Sequence, residues 1–356
     1  MRLELFRQQM KNQQADAVLV TEPLNVRYLS GFTGSAGQLL ITAEQAILIT
    51  DYRYIEQAQT QATAFQCYCR DRARQSLGQA IRALLISQPA QLQLDYDQVP
   101  VALYQQLQQE LPCTLADSRQ ITEQLRAIKD PQELAAIRQA AAIADQALSW
   151  LLPQLKPGVS EQQAAHWLEQ QLLALGAEAL AFPTILLSGP RTALPHGKPS
   201  ERRFQQGDWI LIDFGAQVQG YKSDMTRSYV LGKASPQQQD FYQTVERAQQ
   251  AALAAAKAGI RADQLTEVAQ KILADSAFSA YAGEGLGHSI GLALHEQPLM
   301  RFGCQQILQP GMVVTIEPGL YWPGFGGVRL EDDILITAEG AELLSHSPKP
   351  MELPLE

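Results

Sequence analysis

WILIDFGAQVQGYKSDMTR, residues 209–227, decides how this chain is read. One acid, Asp213, interrupts an otherwise apolar run, and the period-two geometry of a strand puts it on the same face as Leu211 and Trp209. A carboxylate in that setting needs a partner, because removing it from water without compensation is costly. Eleven residues on comes Asp224, just after Gly220, which suits a turn that folds the second strand back on the first. Either acid alone reads as a turn cap or an exposed aspartate. As a pair on a hairpin they face one place.

Three further stretches extend the pattern. GHSIGLALHEQP, residues 287–298, holds His288 and His295, two of the five histidines, with Gly287 and Gly291 letting the backbone approach a ligand. VVTIEPGLY, residues 313–321, ends an apolar run at Glu317, and GGVRLEDDILIT, residues 326–337, begins another at Glu331. YWPGFGG, residues 321–327, reads as the hairpin loop between them, which pairs the two strands antiparallel and brings Glu317 towards Glu331, with Arg329 on the face of Glu331. Four carboxylates converging without compensation would repel and raise one another's pKa. Two divalent cations would neutralise them, leaving a neutral imidazole as fifth ligand and a hydroxide as the reactive species. Oxygen-rich ligation with one histidine and no thiolate favours Mn²⁺ or Co²⁺, admits Zn²⁺ and Mg²⁺, and disfavours copper.

Around this core the chain is organised in two parts. Its 356 residues exceed one ordinary core, and 46% hydrophobic with 18% charged residues is a globular composition. In the first third, the β-type runs 17–20, 38–42 and 46–50 alternate with helical stretches at 76–86 and 101–111, an α/β pattern. A charged segment follows, in which Asp130-Pro131 suits an N-cap and first helical residue, and the boundary is placed near residue 125. Downstream, helices are expected at 132–152, 160–175, 236–258 and 261–276, and strands at 208–215, 221–231, 311–320 and 327–337. That order predicts an α+β domain whose mainly antiparallel sheet is covered by helices.

The net charge of -9 argues against nucleic-acid or anionic-membrane partners. No run reaches the roughly 20 apolar residues of a membrane helix, and no signal-peptide pattern is seen, so a cytoplasmic protein is expected. Cys67, Cys69, Cys113 and Cys304 are too scattered for a disulfide framework or a zinc site and read as free thiols.

These residues carry a resemblance to the pita-bread metallopeptidases, the group of aminopeptidase P, prolidase and methionine aminopeptidase, with the metal-free creatinases. It lies in IDFGA (212–216), GYKSDMTR (220–227), GHSIGLALHE (287–296), IEPGLY (316–321) and GVRLED (327–332). TEPLNVRYLSGFTGSAGQLLIT (21–42) and TDYRYIEQA (50–58) resemble the amino-terminal domain of creatinase, aminopeptidase P and prolidase, and LRAIKDPQELAAIRQA (125–140) the entry to the catalytic domain. One departure is Ser289, where many relatives have glycine.

The resemblance implies a pita-bread catalytic domain over residues 126–356 behind a creatinase-like domain over 1–125. It implies Asp213, Asp224, His288, Glu317 and Glu331 as ligands of two divalent cations, Glu331 bridging them and Glu317 serving as general acid and base. His196 and His295 would donate hydrogen bonds to the scissile carbonyl, while Arg329 and Tyr321 would stand behind the ligands or face substrate. His166 and His346 are expected to have no catalytic part. The implied substrates are short peptides with proline at the second position, cleaved in the manner of aminopeptidase P, with a prolidase acting on Xaa-Pro dipeptides as the alternative. A homodimer or tetramer is implied as well. Creatinase-like amidinohydrolases and non-catalytic binding modules of this fold have lost ligands that are all present here.

Overall fold

The β-branched and leucine-rich runs at the start of the chain form strands where period-two alternation places them: Ala17–Val20, Gln38–Thr42 and Ala46–Thr50. A computed structural model describes residues 2–355 and divides the chain into two units, Met1–Arg126 and Ala127–Glu356. In the first unit these strands are joined by Gln66–Cys69, Gln91–Leu94 and Thr114–Asp117, which the sequence reading did not single out, in a six-stranded sheet. The three anticipated strands pair antiparallel and the others parallel, so the sheet is mixed. The first expected helix is Leu77–Leu84, started by a capping box in which Ser76 Oγ accepts from Gln79 N; the second is Val101–Glu110.

In the second unit, helix Pro131–Leu151 starts at Asp130, whose carboxylate accepts from the backbone N–H groups of Gln132 and Glu133, both at 2.9 Å. Glu133 completes the box by accepting from Asp130 N at 2.8 Å. Asp130→Ala is expected to lower unfolding stability by about 1 kcal/mol, read from the midpoint of urea unfolding at unchanged slope. The other helices are Glu161–Ala174, Pro236–Ala255 and Ala262–Ala274, each within its expected span. Among the described residues no helix is long and apolar enough to cross a membrane.

Strand Trp209–Phe214 pairs antiparallel with Met225–Leu231 on one side and Ile185–Ser188 on the other. It is buried on both faces: Trp209 packs with Phe241, Val245 and Leu265, whereas Ile210, Ile212 and Phe214 pack with Leu148 and Leu168. That alternation leaves Asp213 on the side of Trp209, as expected. The turn at Gln219-Gly220 has φ of 50° and 83°, the signature of a type I′ hairpin, and joins Ala216–Val218 to Tyr221–Lys222.

Three expected strands are broken. The run 221–231 is interrupted at Ser223 and Asp224, 311–320 at Glu317 and Pro318, and 327–337 at Leu330 and Glu331. Their inner halves, Val313–Ile316 and Asp332–Ile336, pair within a five-stranded sheet; their outer halves, Gly319–Trp322 and Gly326–Arg329, form a separate two-stranded ribbon. The breaks have a physical cause. Pro318 has no N–H to give a ladder, Glu317 N donates to Leu286 O, and Glu331 N donates to Thr226 O, so the chain leaves one sheet and enters another.

Candidate metal centre

The breaks are where the acids sit. Asp224, Glu317 and Glu331 each occupy an interruption, which frees their side chains from strict alternation, while Asp213 lies in an unbroken strand opposite Thr226. Close approach holds Asp213 and Asp224 together: a Cβ on Gly215 would meet Ser223 O at 1.8 Å, so only glycine lets the hairpin arms cross there. His288 lies at a bulge, where the register against Glu296–Met300 shifts between His288 and Ser289, and bulges re-aim side chains. The preceding Gly287 has φ 150°, and a Cβ there would stand 2.3 Å from Thr315 O. His288 N donates to Thr315 Oγ1 at 3.0 Å.

Ligand-type atoms of Asp224, His288 and Glu331 all lie within 4.8 Å of one another. His288 Nε2 is 3.6 Å from Asp224 Oδ2 and 3.5 Å from Glu317 Oε1. Arg329 ties in Asp213: one terminal nitrogen donates to Asp213 Oδ2 at 2.5 Å and the other to the Tyr321 hydroxyl at 2.7 Å. Its Nε donates to Thr226 Oγ1 at 3.0 Å, and that hydroxyl donates on to Glu331 Oε2 at 2.5 Å. Oxygens Oδ1 of Asp213, Oδ1 of Asp224 and Oε1 of Glu331 are buried with no hydrogen-bond partner. Buried acceptors are rarely left so. Orphaned carboxylate oxygens around an imidazole are the donor set of a hard divalent cation, and the residues fit one.

Electrostatics agree with the crowding. Burial pushes the Asp224 carboxyl well above its ordinary value, and the charges of Glu331, Asp213 and Glu317 push it further. Glu331 is raised well above its ordinary value by burial and then by Glu317 and Asp213, and Glu317 is raised by burial against the pull of Arg329. Burial opposes the charge on Arg329, but Tyr321 and the surrounding acids outweigh it and hold the guanidinium charged. Burial lowers His288, and partial desolvation together with the neighbouring His288 lowers His295, which is exposed. The two rings meet edge to face, with centroids 4.3 Å apart.

These groups line one cavity of about 540 Å³, which also takes in His196, His295, Tyr321 and Arg329. His196 is exposed, with Phe182, Ile185 and Leu294 also on the wall. His166 and His346 are exposed and do not line it. The sequence reading missed Thr226, Thr315 and Asp333. Thr315 Oγ1 donates to Glu317 Oε1 at 3.1 Å, and Asp333 Oδ2 accepts from Asp224 N at 2.9 Å. A two-residue step from Asp224 to Thr226, from Glu331 to Asp333 and from Glu317 back to Thr315 was the available signal.

A buried acid and imidazole cluster lining a cavity defines a candidate metal-dependent enzyme, and comparison with known proteins gives its class. Residues 135–338 match metallopeptidase family M24, and residues 2–128 match the creatinase/prolidase N-terminal domain. An uncharacterized peptidase of Bacillus subtilis, YqhT, is 37% identical over 352 residues, 99% of each chain. An Xaa-Pro dipeptidase of Pyrococcus horikoshii is 34% identical over 96% of each. In three dimensions the chain superposes on the Xaa-Pro dipeptidase from Bacillus anthracis with a TM-score of 0.94 at 34% identity, covering 99% of this chain and 98% of that one. The chain belongs to metallopeptidase family M24.

Proposed function

We propose that this enzyme hydrolyses the Xaa-Pro bond of dipeptides, with Asp213, Asp224, His288, Glu317 and Glu331 holding two divalent cations. The observation that supports it best is the set of three partnerless buried carboxylate oxygens, on Asp213, Asp224 and Glu331, in a cavity that His288 also lines. Among the similar proteins with named activities, Xaa-Pro dipeptidases and prolidases outnumber X-Pro aminopeptidases, and this favours the dipeptidase over the aminopeptidase P reading expected from sequence.

When bound, the cations would lower the pKa of a water from near 16 to about 7 and polarise the scissile carbonyl. The oxygen-rich donor set favours Mn²⁺. Glu317 takes the proton of the attacking water and returns it to the proline nitrogen, since a secondary amine leaves poorly unprotonated. His295 and His196, which both line the cavity, each donate one N–H to the carbonyl oxygen. Arg329 orients Asp213 and Tyr321. The four free cysteines fit a reducing compartment, the cytoplasm. A homodimer or tetramer, implied by the resemblance, would show in sedimentation.

The deciding experiment compares Ala-Pro, Ala-Ala and Ala-Pro-Ala with the Mn²⁺-loaded enzyme. Ala-Pro is expected to exceed each of the others in kcat/KM by about tenfold or more, a difference of about 1.4 kcal/mol in the transition state. Equal hydrolysis of Ala-Ala would refute proline specificity. Preference for the tripeptide would return the aminopeptidase P reading.

A further inference from the structure

The loop that joins the two histidines is held from below by a buried cation. Lys129 is 4% exposed, and its Nζ donates to Glu296 Oε2 at 3.1 Å, Ser289 Oγ at 3.2 Å and Ala127 O at 3.4 Å. Two of those acceptors adjoin the histidines in sequence: Ser289 follows His288, and Glu296 follows His295. Each is anchored a second time. Ser289 Oγ donates to Val313 O at 2.8 Å, and Glu296 Oε1 accepts from Ala293 N at 3.0 Å. Gly291 leaves the room this needs, since a Cβ there would stand 2.7 Å from Glu296 Oε2.

His288 has supports that do not involve Lys129. Its backbone N–H reaches Thr315 Oγ1, and its Nδ1 lies 3.1 Å from Ser289 O. His295 instead projects from the end of the loop, its ring against the His288 ring, and its place depends on the residue after it. A buried ammonium bonded to both ends of the loop sets the distance between those ends, because moving them apart would break its bond to one end or the other.

We propose that Lys129 is a positioning residue for His295, acting through Glu296 and Ser289 to hold that imidazole at a fixed place beside the metal-ligand cluster. The proposal rests on the assignment of His295 to the scissile carbonyl. Its consequence is that losing the Lys129 ammonium costs turnover and spares metal binding, since His288 keeps its own bonds.

The test is a cycle of Lys129→Met, His295→Ala and the double variant in the full-length protein. Mn²⁺ affinity of the metal-free proteins is measured by calorimetry, and kcat and KM on Ala-Pro. Lys129→Met is expected to lower kcat about 30-fold, with no further loss when His295 is already alanine, as two residues acting through one interaction require. Its Mn²⁺ affinity and KM should stay within about threefold of the parent, a difference of under about 0.7 kcal/mol. Losses that multiply in the double variant, or metal affinity falling in step with kcat, would overturn the proposal. If Lys129→Met does not fold, Ser289→Ala, which removes one of the three acceptors, decides: a kcat loss of about threefold that vanishes in the His295→Ala background supports it, and a persistent loss or none refutes it. Should His295→Ala alone leave kcat intact, the assignment of His295 fails and the proposal with it. Ala-Pro selectivity and metal binding would then still report on the dipeptidase reading separately.

Discussion

Glu317→Gln is expected to reduce kcat on Ala-Pro by about a thousandfold or more, because one side chain serves in two capacities. As a carboxylate it supplies a quarter of the negative charge that two divalent cations would balance. As a proton carrier it faces the cavity, held in register by the Thr315 hydroxyl at 3.1 Å. Glutamine keeps the shape and an oxygen for Thr315 but can neither accept the water's proton nor return it to the proline nitrogen. The measurement is single-turnover and steady-state kinetics at saturating Mn²⁺, with metal content determined alongside. A variant with full metal content and a kcat within tenfold of the parent would remove Glu317 from the chemistry.

The second expectation concerns stability and metal. Asp224, Glu331 and Asp333 have carboxyls held well above their ordinary values, first by burial. For an acid raised in the folded state, the stabilising contribution is complete below the unfolded value, near 4, and is lost as pH rises towards the folded value. The metal-free protein should therefore unfold at a falling temperature as pH rises from about 5 to 8. Saturating Mn²⁺ at 100 times its dissociation constant should add about 2.7 kcal/mol per site. In a unit of this size that raises the melting temperature by about 5–10 °C. At one fixed Mn²⁺ concentration the increment should be larger at pH 8 than at pH 5, where protons compete for the same oxygens and weaken binding. Scanning calorimetry with and without chelator reads it directly, and a metal-independent melting temperature across that range would contradict a built site.

Much of the site could be read along the chain because its acids stand out against apolar strands. Asp213 inside WILIDF and Glu317 at the end of VVTIE are conspicuous because a buried strand has few other polar residues, and a two-residue hairpin turn makes a pair of distant positions neighbours. A helix start was equally legible at Asp130, where the N-cap is local chemistry. The strand breaks were not. Pro318 after Glu317 and the three acids Glu331 to Asp333 interrupt the apolar runs, but nothing local says that Glu317 N will bond Leu286 O or Glu331 N will bond Thr226 O.

Lys129 shows the same limit more sharply. In the sequence it is one lysine in a charged stretch, 167 residues from Glu296, and only folding makes it a buried ammonium between two histidine neighbours. By itself the sequence determined the element types, the acids and histidines, and the family, because these depend on periodicity, caps and residue chemistry within short windows. Tertiary structure alone decided which oxygens are left without partners, how Arg329 and Thr226 link Asp213 to Glu331, and where strands change sheets. Those features are set by hydrogen bonds between segments tens to hundreds of residues apart, and the pairing of such groups depends on burial that no local pattern records.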